Sequence, residues 1–210
     1  MHGVVGSGWF GDISSEGIRE ALDGVNAKEI EIHIHSNGGD AFEGVAICNY
    51  LRNHPASITA VVDGMCASAA SVIAMGADKV IMPRNTTMMV HRAATMAFGN
   101  AQDLEKRAEM LRNVDDALIQ SYTTRFNGEF FELEQLLDNE TYMTAEKAKS
   151  YGFCDEIVEE VKNDPNEDAT NTGGNTPGEP VQNKIENENK QEQNAHKAMR
   201  FFNALMESVK

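Results

Sequence analysis

The chain has 210 residues and 41% hydrophobic content, enough for one domain with a sizeable core plus an appendage. A formal net charge of −15 argues against nonspecific binding to nucleic acid or to an anionic membrane. No apolar run approaches a membrane span and no secretory signal precedes the first strand, while the odd set Cys48, Cys66 and Cys154, without CxxC spacing, reads as reduced thiols of a cytoplasmic protein rather than a disulfide frame or zinc site.

Val4-Val5 begins a short strand, and Trp9-Phe10-Gly11-Asp12 makes a turn with exposed aromatics. Ser14 or Ser15 caps a helix running to about Leu22. From Glu29 to His35 the chain alternates strictly: Ile30, Ile32 and Ile34 face one side and Glu31, His33 and His35 the other, as in a strand. His33 and His35 have the look of a metal pair, but with no third ligand nearby they read as surface residues. Ser36-Asn37-Gly38-Gly39-Asp40 then breaks the strand. Paired glycines let the backbone turn sharply and expose N–H groups, although an ordinary tight turn has the same signature. A helix follows from about Ala41 to Asn53, with Phe42, Val45, Ala46 and Cys48 to Leu51 on its apolar face, and Pro55 stops it.

The central stretch is next. Ile58-Thr-Ala-Val-Val62 reads as a buried strand, Gly64 as the turn that ends it, and Ala67 to Met75 as a buried helix. Ser68 thereby falls at the first turn of a helix, beside unpaired N–H groups and the positive end of the helix dipole. A nucleophile and an oxyanion have those requirements, but so does a small packing or capping serine. Lys79 to Met82 and Thr87 to His91 are further strands with a turn at Pro83-Arg84-Asn85. His91 ends its strand, where the backbone fixes its Cα while the ring can face a cleft. A long helix runs from Asn100 to about Phe126, with Leu104, Leu111 and Leu118 repeating at seven. Such a length suits a helix that projects toward a neighbouring subunit. Phe130 to Leu137 is a short helix, Asp138 to Thr141 a turn, Thr144 to Tyr151 a helix capped by Thr144 and stopped by Gly152, and Phe153 to Val158 the last strand. Alternating strands and helices predict an α/β layered fold.

Residues 1–160 form the expected folded domain. From Asp155 to Gln193 eleven acidic residues face three lysines, a net of −8, in a segment almost without large apolar residues. Residues 161–193 therefore read as a disordered acidic linker. Residues 194–210 read as an amphipathic helix, with Ala198, Phe202, Leu205, Met206 and Val209 on one face and too few basic residues for a membrane surface.

Four separated pieces then coincide with one family pattern: Ile34-His-Ser-Asn-Gly-Gly39, Asp63-Gly-Met-Cys-Ala-Ser-Ala-Ala-Ser-Val-Ile-Ala-Met-Gly76, Met88-Met-Val-His91, and Glu140-Thr-Tyr-Met-Thr-Ala-Glu-Lys-Ala-Lys-Ser-Tyr-Gly-Phe-Cys-Asp155. The chain resembles the proteolytic subunit of Clp protease, and more closely the ClpP-like head-maturation proteases of tailed bacteriophages. The resemblance implies the crotonase-type α/β fold of stacked ββα units, a ring-shaped homo-oligomer, possible stacking of rings, and the long helix as intersubunit contact. It implies Ser68 as nucleophile, His91 as general base, and the backbone N–H groups of Gly39 and Ala69 as the oxyanion hole. Glu140 stands where cellular relatives carry the third, acidic triad member, with Asp138 as the alternative and a bare dyad as another. Ser71 reads as packing, and Cys66 lacks the family match. No cofactor or metal is implied.

The expected function is an ATP-independent serine endopeptidase acting on scaffold, portal or capsid protein during prohead maturation, in the host cytoplasm or the prohead. The first strand begins almost at Met1, leaving little room for the axial loop that meets an AAA+ unfoldase, so that partnership is not expected. A cellular-type subunit working with such an unfoldase, a catalytically inactive structural ring and a crotonase-like acyl-CoA enzyme are the alternatives; the paired Ser68 and His91 argue against the last.

Overall fold

The structure, a computed structural model, describes residues 1–8 and 11–159. The Trp9-Phe10 turn, the acidic linker and the terminal amphipathic helix lie outside the described residues.

Helix α1 (Ser15–Leu22) starts where the Ser14 hydroxyl accepts the Gly17 N–H at 3.1 Å. Strand β1 (Glu29–Ser36) follows its alternation: Ile32 and Ile34 are buried while Glu31 and His35 are exposed. Burying such an isoleucine contributes roughly 1.5–3 kcal/mol, which fixes the register of the strand. Helix α2 (Ala41–Arg52) is capped by Asp40, whose carboxylate accepts the N–H groups of Phe42 and Glu43. Strand β2 (Ser57–Ala67) is the centre of the sheet, and Ile58, Ala60, Val61 and Val62 are buried on both its faces.

β1 runs parallel along one edge of β2. Strands β3 (Lys79–Pro83) and β4 (Thr87–Val90) share the other edge, β3 pairing with Thr59–Val61 and β4 with Met65–Ala67, both in parallel. β5 (Thr141–Thr144) is antiparallel to β4, and β6 (Glu156–Val158) parallel to β3. The order is β5-β4-β2-β3-β6, with β1 beside β2. This is the α/β class expected from the alternating elements. The C-terminal ends of β1, β2 and β4 consequently meet at one end of the sheet, where parallel α/β sheets bind their ligands. Those ends lead into Gly38-Gly39, Ser68 and His91.

Helix α3 (Ala69–Ala74) is buried throughout. Helix α4 (Ala101–Thr123) buries only Val114, Leu118, Ile119, Ser121 and Tyr122. Its first turns carry no buried residue and Leu104 is 44% exposed, so that half of the helix stands clear of the core. Helices α5 (Phe130–Asp138) and α6 (Ala145–Ser150) complete the layer.

The structure differs from the sequence expectations at three places. Gly64 does not turn the chain, because β2 continues through it to Ala67. A Cβ at Gly64 would lie 2.7 Å from His35 Nδ1, so its glycine serves the packing of a neighbouring ring. Val4-Val5 makes isolated bridges, Val5 pairing with Gly39 and Ile13, rather than a strand. Thr141, assigned to a turn, opens β5.

Candidate active site

Because β2 ends at Ala67 and α3 begins at Ala69, Ser68 alone makes the corner between them. Its backbone has φ 56° and ψ −127°. A non-glycine residue in so sparsely populated a region costs of order 1–3 kcal/mol, and it persists only when its surroundings over-determine it. They do here. The Ser68 N–H donates to the Met89 carbonyl at 3.0 Å, and the Ser68 carbonyl accepts the N–H groups of Ser71 at 2.9 Å and Val72 at 3.2 Å. Gly38 lies against the corner, where a Cβ would stand 2.5 Å from Ser68 Cβ and 2.7 Å from the Ala67 carbonyl.

The Ser68 side chain does not cap α3. Its Oγ lies 2.7 Å from His91 Nε2. His91 follows the last residue of β4, and the pairing of Ala67 with Met89 brings the two strand ends level. The two side chains, 23 residues apart, thus meet through the sheet register.

Glu140 is not brought to them. It is exposed, has φ 46°, and occupies the turn between α5 and β5, where its N–H donates to the Leu137 carbonyl at 3.3 Å. Among the described residues the one side-chain hydrogen bond of His91 is with Ser68. The other carboxylates of this region engage Arg92, the residue after the histidine. Arg92 Nε donates to Asp138 at 2.5 Å, and its terminal nitrogens lie 3.8 Å from Glu134 and 4.0 Å from Asp115. Asp115 also accepts the Ala93 N–H at 2.6 Å. Asp138 is therefore paired with Arg92, not with His91.

The N–H groups of Gly39 and Ala69 donate to no acceptor among the described residues. Ala69 is the first residue of α3, so its N–H has no intrahelical partner. Gly39 has φ 149° and is held by Val5 on both sides: Val5 N–H donates to the Gly38 carbonyl at 2.9 Å, and Asp40 N–H donates to the Val5 carbonyl at 2.8 Å. A Cβ at Gly39 would lie 2.0 Å from that Val5 carbonyl. Ser68, His91, Gly39 and Ala69 all border one cleft of about 230 Å³, walled on the far side by Met110, Leu111 and Val114 of α4.

Neighbouring groups are unsuited to nucleophilic attack. The Cys66 thiol is fully enclosed and burial pushes its pKa up to about 12. The Ser71 hydroxyl is buried and saturated by the carbonyls of Ser68 and Met89 and by Tyr122. At a distance from the cleft, His33 Nδ1 lies 2.6 Å from Asp63, which also meets His2 at 2.7 Å. The hydrogen bond to Asp63 raises the His33 pKa. Among the described residues no group of three or more His, Cys, Asp or Glu side chains is placed to hold a metal ion, and no helix is long and apolar enough to cross a membrane.

Val5, Arg92, Asp115 and Tyr122 were not singled out from the sequence. Arg92 carried a signal, a cation directly after a strand-end histidine; the others act through contacts that no local pattern records.

Comparison with known proteins follows the same lines. The Clp protease family matches residues 21–161. The chain is similar to an ATP-dependent Clp protease proteolytic subunit of Deinococcus radiodurans, 28% identical over 145 residues, which is 67% of this chain and 71% of that protein.

Proposed function

The chain belongs to the Clp protease family of serine peptidases, and from that premise we propose that it is a serine endopeptidase that uses Ser68 and His91 to cleave head proteins during phage prohead maturation. The observation that carries the chemical part is the strained Ser68 corner with its Oγ 2.7 Å from His91 Nε2. In this reading Ser68 Oγ adds to the scissile carbonyl while its proton passes to His91 Nε2. The N–H groups of Ala69 and Gly39 receive the developing oxyanion, a role for which they are free, having no acceptor among the described residues. His91 returns the proton to the leaving amine, and a water that it deprotonates then releases the acyl group. A side chain of the substrate fits the apolar cleft between α3 and α4. Glu140, at the position of the family's acid, has no bond to His91 in this arrangement, so the chemistry runs as a dyad unless assembly moves that turn.

The maturation role is supported by the resemblance of the motifs to head-maturation proteases and by the acidic segment that follows the folded domain. The chain works as a ring, in the host cytoplasm or the prohead, on scaffold, portal or capsid protein. The second reading is a subunit that depends on an AAA+ unfoldase, which the name of the Deinococcus relative favours.

Labelling with a fluorophosphonate, followed by mass spectrometry, tests the chemistry. Modification at Ser68 that is lost in Ser68→Ala and His91→Ala supports it; an unlabelled wild-type chain in its assembled form would return the structural-ring reading. Cleavage of the co-encoded scaffold, portal or capsid protein without ATP supports maturation. Degradation that requires an unfoldase and ATP supports the second reading.

A further inference from the structure

Beside the dyad, with Tyr122 at the edge of the same cleft, lies a buried polar group that the reaction itself does not use. Ser71 is 0% and Tyr122 1% exposed. Ser71 Oγ lies 2.7 Å from the Ser68 carbonyl, 3.0 Å from the Met89 carbonyl and 2.8 Å from the Tyr122 hydroxyl. Ser71 has a single proton, which the two carbonyls share, so the contact with Tyr122 is made by the Tyr122 hydroxyl donating to Ser71 Oγ. Burial holds the Tyr122 phenol above its ordinary range, which keeps that proton in place.

The two carbonyls belong to the two halves of the site. Ser68 carries one of them and supplies the proposed nucleophile. Met89 carries the other, receives the Ser68 N–H at 3.0 Å, and stands two residues before His91 on β4. One hydroxyl therefore ties the strained corner to the strand that carries the base. An apolar residue at position 71 would fill the space and leave both carbonyls without that donor. Maintaining a buried hydroxyl pair where Ala and Phe would pack equally well calls for a reason beyond core filling.

We propose that Ser71 and Tyr122 are positioning residues, which hold the Ser68 corner and the His91 strand at hydrogen-bonding separation through the Ser68 and Met89 carbonyls. Tyr122 acts only through Ser71. Because Tyr122 stands on α4, the helix that also walls the cleft, the geometry of the dyad is set by the same helix that receives substrate.

This inference rests on the serine peptidase reading, and the test keeps the two apart. Fluorophosphonate inactivation of the full chain is resolved into its saturable binding constant and its chemical rate. Ser71→Ala lowers the chemical rate about ten- to a hundredfold, the scale of an ångström-level misplacement, with the binding constant within about twofold. Tyr122→Phe keeps the ring and its packing and lowers the rate in the same direction. The double variant is no slower than Ser71→Ala alone, since the two act in series. Wild-type chemical rates in both single variants would overturn the proposal. The crystal structure of Ser71→Ala, or of Tyr122→Phe if the first does not fold, gives a readout independent of activity. A Ser68–His91 separation opened beyond hydrogen-bond distance supports the proposal, and an unchanged 2.7 Å contact overturns it. An unlabelled wild-type chain counts against the peptidase reading, while the crystallographic comparison still decides the positioning role.

Discussion

Two turns in this molecule place a non-glycine residue at positive φ, and they are opposites in every other respect. Among the described residues Ser68 and Glu140 are the only such positions. Glu140 follows the C-cap residue of α5 and adopts a left-handed conformation, an ordinary way to end a helix. It is exposed and anchored by a single backbone bond. Ser68, with ψ −127°, lies outside that left-handed well. It is half-buried between Ala67 and Ala69, and both its N–H and its carbonyl are bonded. Positive φ alone therefore says little about function. It becomes informative where neighbouring structure enforces a conformation that the local chain would not choose.

Replacing Ser68 by glycine sharpens the contrast. Ser68→Gly should abolish peptidase activity, a loss on the order of 10⁴-fold or more, while raising stability by about 1 kcal/mol as the backbone strain is relieved. Peptide hydrolysis and denaturant melts on the same protein check both halves, and a destabilised Ser68→Gly would break the strain argument. Gly38→Ala comes next. Its Cβ would sit 2.5 Å from Ser68 Cβ at a φ of 92°, so the corner must shift. We expect about a hundredfold loss of activity together with a stability loss of roughly 1–3 kcal/mol. Wild-type activity would show that the corner tolerates displacement.

Glu140→Gln should lower activity less than tenfold in the arrangement seen here, because the carboxylate does not touch His91. A loss approaching the roughly 10⁴-fold scale of a working triad acid would mean that the α5–β5 turn moves in the active assembly. The smallest effect belongs to the exposed His33–Asp63 pair between β1 and β2. His33 has a raised pKa, chiefly through its hydrogen bond to Asp63, so its contribution to stability is present below the unfolded histidine pKa and fades as pH rises through the folded value. His33→Asn should thus lower the melting temperature at pH 5.5 and leave it nearly unchanged at pH 9. The pair is more than one-third exposed on the histidine side, and solvent screening keeps the difference under about 1 kcal/mol. Peptidase activity relative to folded protein should stay constant, since this cluster does not border the cleft.

The sequence alone determined the elements whose signals are local. The alternation of Glu29 to His35 fixes β1, because a period of two has one burial solution, and the Thr144 cap with Gly152 beyond it bounds α6 for similar reasons. It also marked Ser68 and His91, whose motifs flank short elements in a fixed order. Tertiary structure decided what those residues do to one another. The register of β4 on β2 joins residues 23 apart, and the Tyr122–Ser71 contact spans 51, with no period along the chain to announce either. Likewise, Gly64 looked like a turn because glycine breaks local patterns, and only the His35 ring packed against it explains a glycine inside a strand. Glu140 shows the same division from the other side: a motif gave it a position in the chain, and the α5–β5 turn, held by its own backbone, put the carboxylate in solvent.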